Sequence, residues 1–131
     1  GGIGVDQNNE VGYDYIKKAA DKSDPKAQYT LGALYYLGAC VEKDYQKAFK
    51  WLNLASEQNY IDAKYNLGVM YEFGEGVSQS YEKAYEYYLF AARRDNLESQ
   101  IRVADMYREG IGTDKDLDKR AYWLKIVEDS K

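Results

Sequence analysis

The sequence contains no histidine, one cysteine and one proline among its 131 residues. The absence of histidine removes the commonest general base, the serine–histidine triad and histidine metal sites. Cys40 can form no disulfide within the chain, and it has no histidine to activate it as a nucleophile. The acidic residues are scattered over helix surfaces and caps, with no inward-facing pair. We therefore predict that the protein is not an enzyme and binds no metal or cofactor.

The chain also lacks a net positive charge and a long apolar run. The formal net charge is −4, whereas binding to phosphate groups needs a basic face, so we expect no nucleic-acid partner. No apolar run approaches the roughly 20 residues that span a bilayer, so direct membrane insertion is not expected. A single cysteine is compatible with both the cytoplasm and the periplasm, which leaves the compartment open. Hydrophobic residues make up 45% of the chain, enough for a packed core.

The chain repeats itself every 36 residues. A shift of 36 positions aligns five columns of similar residues without any gap. These columns are Gly2, Gly38, Gly74 and Gly110; Tyr35, Tyr71 and Tyr107; Tyr15, Trp51, Tyr87 and Trp123; Ala19, Ala55, Ala91 and Val127; and Leu31, Leu67 and Val103. A fixed period of this length indicates stacked helical repeats rather than a single globular core.

Each repeat has the pattern of two helices. Ala27, Leu31 and Leu34 are spaced three and four residues apart, as on one face of a helix. Asp24 before Pro25 is typical of an N-cap with proline at the first helical position. The predicted N-caps of the second helices are Asp44, Ser80 and Asp116. The aligned glycines that follow each first helix, Gly38, Gly74 and Gly110, predict a positive φ that lets the chain turn back. Cys40 is predicted to be a small residue of the same turn.

These patterns predict an all-α fold, an α/α solenoid of antiparallel helix pairs, because neither helix of a pair can bury its apolar face alone. The small residues Gly32, Gly68 and Ala104 are expected where helices approach closely. We predict one solenoid domain over residues 1–131, divided into a partial repeat (1–24, second helix only) and three repeats (25–60, 61–96 and 97–131).

The chain begins out of phase with the repeat. The segment Gly2-Ile3-Gly4-Val5 aligns with the loops between helices, and residues 13–20 align with a second helix. We expect a fragment of a longer array, with a capping variant at the N-terminus as the alternative. Because both ends of a truncated solenoid expose apolar side chains, end-to-end association is a further hypothesis.

The aligned columns resemble the Sel-one-like repeat, a relative of the tetratricopeptide repeat. The second unit matches its pattern at Ala63, Leu67, Gly68, Tyr71, Gly74, Gly76, Val77, Lys83, Ala84, Ala91 and Ala92. The resemblance implies a scaffold for protein–protein contact, because family members look like adaptors in signalling, membrane-protein quality control and bacterial host interaction. Some bacterial relatives are cysteine-rich secreted proteins with paired disulfides, and this chain lacks those cysteine pairs.

We expect a protein or peptide to bind the concave side of the stack, which the first helices line in such folds. The candidate groove residues are Lys26, Tyr29, Ala33, Tyr36, Leu37, Asp62, Tyr65, Val69, Glu72, Phe73, Glu98, Ile101, Asp105, Arg108 and Glu109. Tyr36, Glu72 and Arg108 occupy one repeat position with different residue types, which favours recognition. Tyr29 and Tyr65 have an alternative interpretation, packing against the next pair.

Three functional hypotheses remain open from the sequence. The leading one is a non-enzymatic interaction module, such as a bacterial adaptor, immunity or secretion-associated protein. The second is a cell-wall- or carbohydrate-binding relative, with or without hydrolytic activity. The third is a structural spacer within a longer repeat array, with recognition performed elsewhere.

Overall fold

A computed structural model describes residues 7–131, with side chains from residue 10 onward. The loop predicted over Gly2-Ile3-Gly4-Val5 lies outside the described residues. Within residues 7–131 the chain forms seven helices and no strand. The helices are α1 (Gln7–Asp21), α2 (Pro25–Leu37), α3 (Tyr45–Glu57), α4 (Ile61–Phe73), α5 (Tyr81–Ala92), α6 (Leu97–Glu109) and α7 (Leu117–Asp129). The predicted all-α solenoid of helix pairs is confirmed, and none of these helices is both long and apolar enough to cross a bilayer.

The chain divides into two compact units, unit 1 (residues 1–63) and unit 2 (residues 64–131). In unit 1, α1 packs against α2 and α2 against α3, around a core of Ala20, Ala27, Leu31 and Trp51. In unit 2, α5 packs against α6 and α6 against α7. The core of unit 2 consists of Ala84, Tyr88, Ala92, Val103, Ala104, Met106, Tyr107 and Trp123.

Side-chain N-caps start the helices at the predicted positions. Asp24 accepts a 2.8 Å hydrogen bond from the backbone N–H of Ala27 at the start of α2. The predicted caps of α3, α5 and α7, which are Asp44, Ser80 and Asp116, make the same contact at 3.0, 3.2 and 3.0 Å. Asn96 caps α6 in the same way at 2.9 Å, a cap that the sequence analysis did not name. Each such cap typically contributes about 1 kcal/mol to helix stability.

The turns between the helices of a pair use left-handed backbone. Gly38, Gly74 and Gly110 have φ of 71°, 66° and 69°, which confirms the predicted helix-ending glycines. Two residues later Gly76 and Gly112 have φ of 74° and 73°, and Cys40 adopts the same conformation with φ of 65°. The chain then returns, since the N–H of Asp44, Ser80 and Asp116 donates to the carbonyl of Tyr35, Tyr71 and Tyr107, at 3.0, 2.9 and 2.9 Å.

Two glycines permit close helix contacts, as predicted. A Cβ placed on Gly32 of α2 would lie 2.7 Å from Cγ of Leu52. A Cβ placed on Gly68 of α4 would lie 2.7 Å from both Cδ1 and Cε1 of Tyr88. These distances are shorter than any ordinary carbon–carbon contact, so only glycine lets α3 approach α2 and α5 approach α4 this closely.

Candidate functional site

In unit 1 the predicted groove residues of α2 form a partly exposed aromatic face. Leu37, the last residue of α2, is 70% exposed. The Tyr36 ring lies 5.4 Å from the Tyr45 ring, and the Tyr29 ring lies 5.2 Å from the Tyr60 ring, both tilted. The remaining predicted residues of this unit are Lys26 and Asp62, which are exposed, and Ala33, which is half-buried. Rigid aromatic rims beside an exposed leucine are a surface that can bury area at low entropic cost.

In unit 2 the predicted residues of α4 separate into packed and exposed ones. Tyr65 and Val69 are half-buried and pack against the core, with the Tyr65 ring 5.7 Å from the Tyr88 ring. Burial raises the pKa of Tyr65, and the negative charge of Glu98 raises it further. Phe73, the last residue of α4, is 63% exposed and occupies the repeat position of Leu37. Tyr65 therefore has a packing role, and Phe73 is the exposed apolar residue of α4.

Glu72 is not on an exposed face, contrary to the sequence-based expectation. Its carboxylate is buried, accepts a 2.8 Å hydrogen bond from the Tyr88 hydroxyl at Oε1, and pairs through Oε2 with the Arg102 guanidinium. Burial and the Glu72 hydrogen bond both raise the pKa of Tyr88. Tyr88 stands where unit 1 has Leu52, and a buried hydroxyl requires an acceptor that leucine does not. The change of residue type at position 72 thus supports a buried network.

The predicted residues of α6 are mostly charged. Glu98, Arg108 and Glu109 are exposed, and Arg108 forms a 2.8 Å ion pair with Glu109. Asp105 is half-buried, and its Oδ2 lies 3.5 Å from Nη1 of Arg102. Ile101 is 41% exposed and is the apolar member of this set.

A cavity between α4 and α5 was missed by the sequence analysis. It has a volume of about 360 Å³ and is lined by Lys64, Tyr71, Lys83, Glu86, Tyr87 and Phe90. Lys64 Nζ lies 4.5 Å from the centre of the Phe90 ring, and Lys83 Nζ lies 5.3 Å from the centre of the Tyr71 ring. Such distances are those of cation–π contacts. The sequence signal was Lys64 itself, because the same column holds Gln28 and Gln100.

Paired tyrosine hydroxyls recur at a spacing of 22 residues, once in each unit. The Tyr13 and Tyr35 hydroxyls are hydrogen bonded at 2.9 Å in unit 1, and Tyr85 is hydrogen bonded to Tyr107 in unit 2. Burial and the Tyr35 hydrogen bond raise the pKa of Tyr13 to about 12. Among residues 10–131 no group of three or more histidine, cysteine, aspartate or glutamate side chains is arranged to hold a metal ion.

A family model for the Sel1 repeat matches residues 1–24, 25–60, 61–96 and 97–126. No curated protein matches the chain significantly. Two solved bacterial structures are similar in both sequence and fold. The protein c5321, a protective antigen of uropathogenic Escherichia coli strains with an SLR fold, is 34% identical with a TM-score of 0.87, over 90% of this chain and 25% of that one. A Sel1 repeat protein from Oxalobacter formigenes is 31% identical with a TM-score of 0.85, over 98% of this chain and 38% of that one.

A third solved structure supports the fold alone. Helicobacter pylori cysteine-rich protein B is 22% identical with a TM-score of 0.71, over 95% of this chain and 90% of that one. The chain thus spans about a quarter of the Escherichia coli relative and less than half of the Oxalobacter formigenes relative.

Proposed function

This chain belongs to the Sel1 repeat family, and on that premise we propose that it is a non-catalytic module that binds a peptide or protein surface. Binding occurs through the groove faces, which are the predicted groove residues of α2 in unit 1 and those of α4 and α6 in unit 2. Proteins of this family are generally protein-interaction modules, and their fold is typically a non-catalytic scaffold. The bacterial sources of both similar structures favour a bacterial adaptor, immunity or secretion-associated role.

The observation that carries the proposal is the exposure of a large apolar side chain at a predicted groove position of each helix. These are Leu37 on α2 at 70%, Phe73 on α4 at 63% and Ile101 on α6 at 41%. Each unit on its own contains at least one of them. Large apolar groups beside aromatic and charged neighbours are typical of interface anchors, because a partner can remove them from water completely.

A peptide selection followed by affinity measurements tests this proposal. Random peptides are selected on the intact protein, and the affinity of the selected peptide is measured for Leu37→Ser, Phe73→Ser and Ile101→Ser separately. We expect at least one of these variants to bind about tenfold more weakly or worse, because an anchor residue typically contributes 1.4 kcal/mol or more, about tenfold in Kd.

The matched controls remove exposed aromatic groups from helices outside the groove faces. Tyr15 of α1 is 77% exposed and Tyr122 of α7 is 61% exposed, and their replacement by serine is expected to leave the affinity within about twofold. Equal losses in the controls and the groove variants would refute binding through the groove faces. Turnover of purified muropeptides by the intact protein would instead establish the hydrolytic alternative.

A further inference from the structure

The second repeat places two cations where the first repeat has a neutral hydrogen-bonded pair. In unit 1 Gln28 is buried, and its Oε1 accepts a 2.9 Å hydrogen bond from Gln58 Nε2, which also donates to the Ser23 carbonyl. Thirty-six residues later the same two positions hold Lys64 and Arg94. The third repeat again has a buried glutamine, Gln100, which donates to the Ala92 carbonyl at 3.1 Å.

Both cations lie over the same aromatic ring. Lys64 Nζ is 4.5 Å and the Arg94 guanidinium is 3.5 Å from the centre of the Phe90 ring. Burial and the charge of Arg94 both lower the pKa of Lys64. Two like charges beside one half-buried ring repel each other, and the neutral glutamine pair of unit 1 has no such repulsion.

Lys64 also lines the cavity between α4 and α5, whose wall carries a further cation. Lys83 lies over Tyr71 in the wall of the 360 Å³ cavity, whose only acidic lining residue within the described chain is Glu86. No acidic side chain of residues 10–131 forms an ion pair with Lys64, Lys83 or Arg94. Two lysines, Lys64 and Lys83, thus line one aromatic-walled cavity, and Arg94 lies over the Phe90 ring of its wall.

We propose that this cavity of unit 2 binds the carboxylate of an acidic side chain in a peptide segment of a protein partner. A carboxylate next to Lys64 and Lys83 offsets the repulsion between Lys64 and Arg94. Arg94 donates one N–H to the Phe90 carbonyl at 3.0 Å, and its guanidinium has further N–H groups that can donate to a carboxylate. The rings of Tyr71, Tyr87 and Phe90 give the neighbouring peptide atoms an apolar wall. Peptide is favoured over an extended polyanion because the chain as a whole carries a net charge of −4.

A pair of blocked hexapeptides tests the inference, one of alternating tyrosine and glutamate and one with glutamine replacing each glutamate. Both are titrated into the ¹⁵N-labelled intact protein, and the affinity is taken from backbone amide shifts. We expect the glutamate peptide to bind with its largest shifts at Lys64, Tyr87 and Phe90. The glutamine peptide is expected to bind at least about tenfold more weakly, because it lacks the charge-assisted contacts.

The double variant Lys64→Gln/Arg94→Gln restores the residue types of Gln28 and Gln58. It is expected to stay folded and to lose at least about tenfold in affinity for the glutamate peptide. The matched control, Lys18→Gln/Lys125→Gln, removes the same charge from exposed positions and is expected to change the affinity by less than about twofold. If the first variant does not fold, Lys83→Gln alone serves as the test, with the same expected direction.

Several results would overturn the inference. These are equal affinity for the two hexapeptides, no binding of the glutamate peptide, equal losses in the two double variants, and binding of inorganic phosphate as tight as that of the glutamate peptide. The inference rests on the proposed function, but its failure is distinguishable from failure of that proposal. Leu37, Phe73 and Ile101 do not line this cavity, so their variants report on the groove faces independently.

Discussion

The Tyr88 hydroxyl donates a 2.8 Å hydrogen bond to Oε1 of the buried Glu72 carboxylate, joining α5 to α4 within unit 2. Arg102 of α6 pairs with the other carboxylate oxygen, so three helices share one polar network. One repeat earlier the equivalent positions hold Leu52, Tyr36 and Asn66. Three residue types therefore differ together between repeats, because a buried hydroxyl requires an acceptor and a buried carboxylate requires a cation.

Replacing Glu72 by alanine is expected to destabilise the protein by about 2–4 kcal/mol, because it leaves the Tyr88 hydroxyl and the half-buried Arg102 without their partner. Tyr88→Phe removes one hydrogen bond and is expected to cost only about 1–2 kcal/mol. Urea denaturation followed by circular dichroism measures both values. A double-mutant cycle of the two changes should give a coupling energy of at least about 0.5 kcal/mol, and strict additivity would contradict a direct contact.

Gly68→Ala is expected to destabilise the protein by about 1–3 kcal/mol, because the added Cβ would lie 2.7 Å from two atoms of the Tyr88 ring. Gly12 of α1 is the matched control, since a Cβ there meets no heavy atom within 4 Å. Gly12→Ala is expected to stabilise by about 0.5–1 kcal/mol through helix propensity. Thermal melting of both variants checks the opposite signs, and a stable Gly68→Ala variant would show that α4 and α5 can move apart.

Cys40→Gly is expected to stabilise the protein by about 0.5–1 kcal/mol, because Cys40 has a φ of 65° that favours glycine. Gly76 and Gly112 already occupy the equivalent positions with φ of 74° and 73°. The neighbouring Ala39 does not have a positive φ, so Ala39→Gly is the control and should not stabilise. A lower melting temperature for Cys40→Gly would mean that the thiol makes contacts worth more than the backbone strain.

Stability should fall between pH 10 and pH 12 in a way that depends on Tyr13. Its folded-state pKa is raised from 10.0 to about 12, so its contribution is complete below pH 10 and disappears as the pH rises through 12. The difference in unfolding free energy between the protein and Tyr13→Phe should therefore shrink across this window. Tyr15→Phe, at a ring that is 77% exposed, is the control for the loss of a tyrosine hydroxyl from α1. A constant difference for Tyr13→Phe across this window would contradict the partly buried hydroxyl pair.

The repeat period predicted the helices, caps and turns, because these depend on residues that recur in every unit. Asp24, Asp44, Ser80 and Asp116 are each followed by a free helix N-terminus, so the local sequence is enough to identify them as caps. Gly38 and Gly110 were predictable for the same reason, since a helix end with positive φ selects glycine locally.

The side chains that differ between repeats were harder to interpret from the sequence. Variation in residue type at position 72 favoured a recognition role. In the structure the Glu72 carboxylate instead accepts a hydrogen bond from the hydroxyl of Tyr88, sixteen residues away. The sequence shows that Lys64 stands in a column of glutamines. That Lys64 and Arg94 lie over the same Phe90 ring becomes apparent only when the helices are packed together. Both depend on contacts between helices, which the residue types alone do not specify.

A partner is proposed to bind the groove faces of the first helices of each pair. Amide hydrogen–deuterium exchange and NMR shift mapping of the intact protein with a selected peptide test it most directly. We expect the largest changes around Leu37 in unit 1 or around Phe73 and Ile101 in unit 2, with little change around Tyr122 and Leu124 of α7. Changes centred on α7, with none at the groove faces, would contradict it.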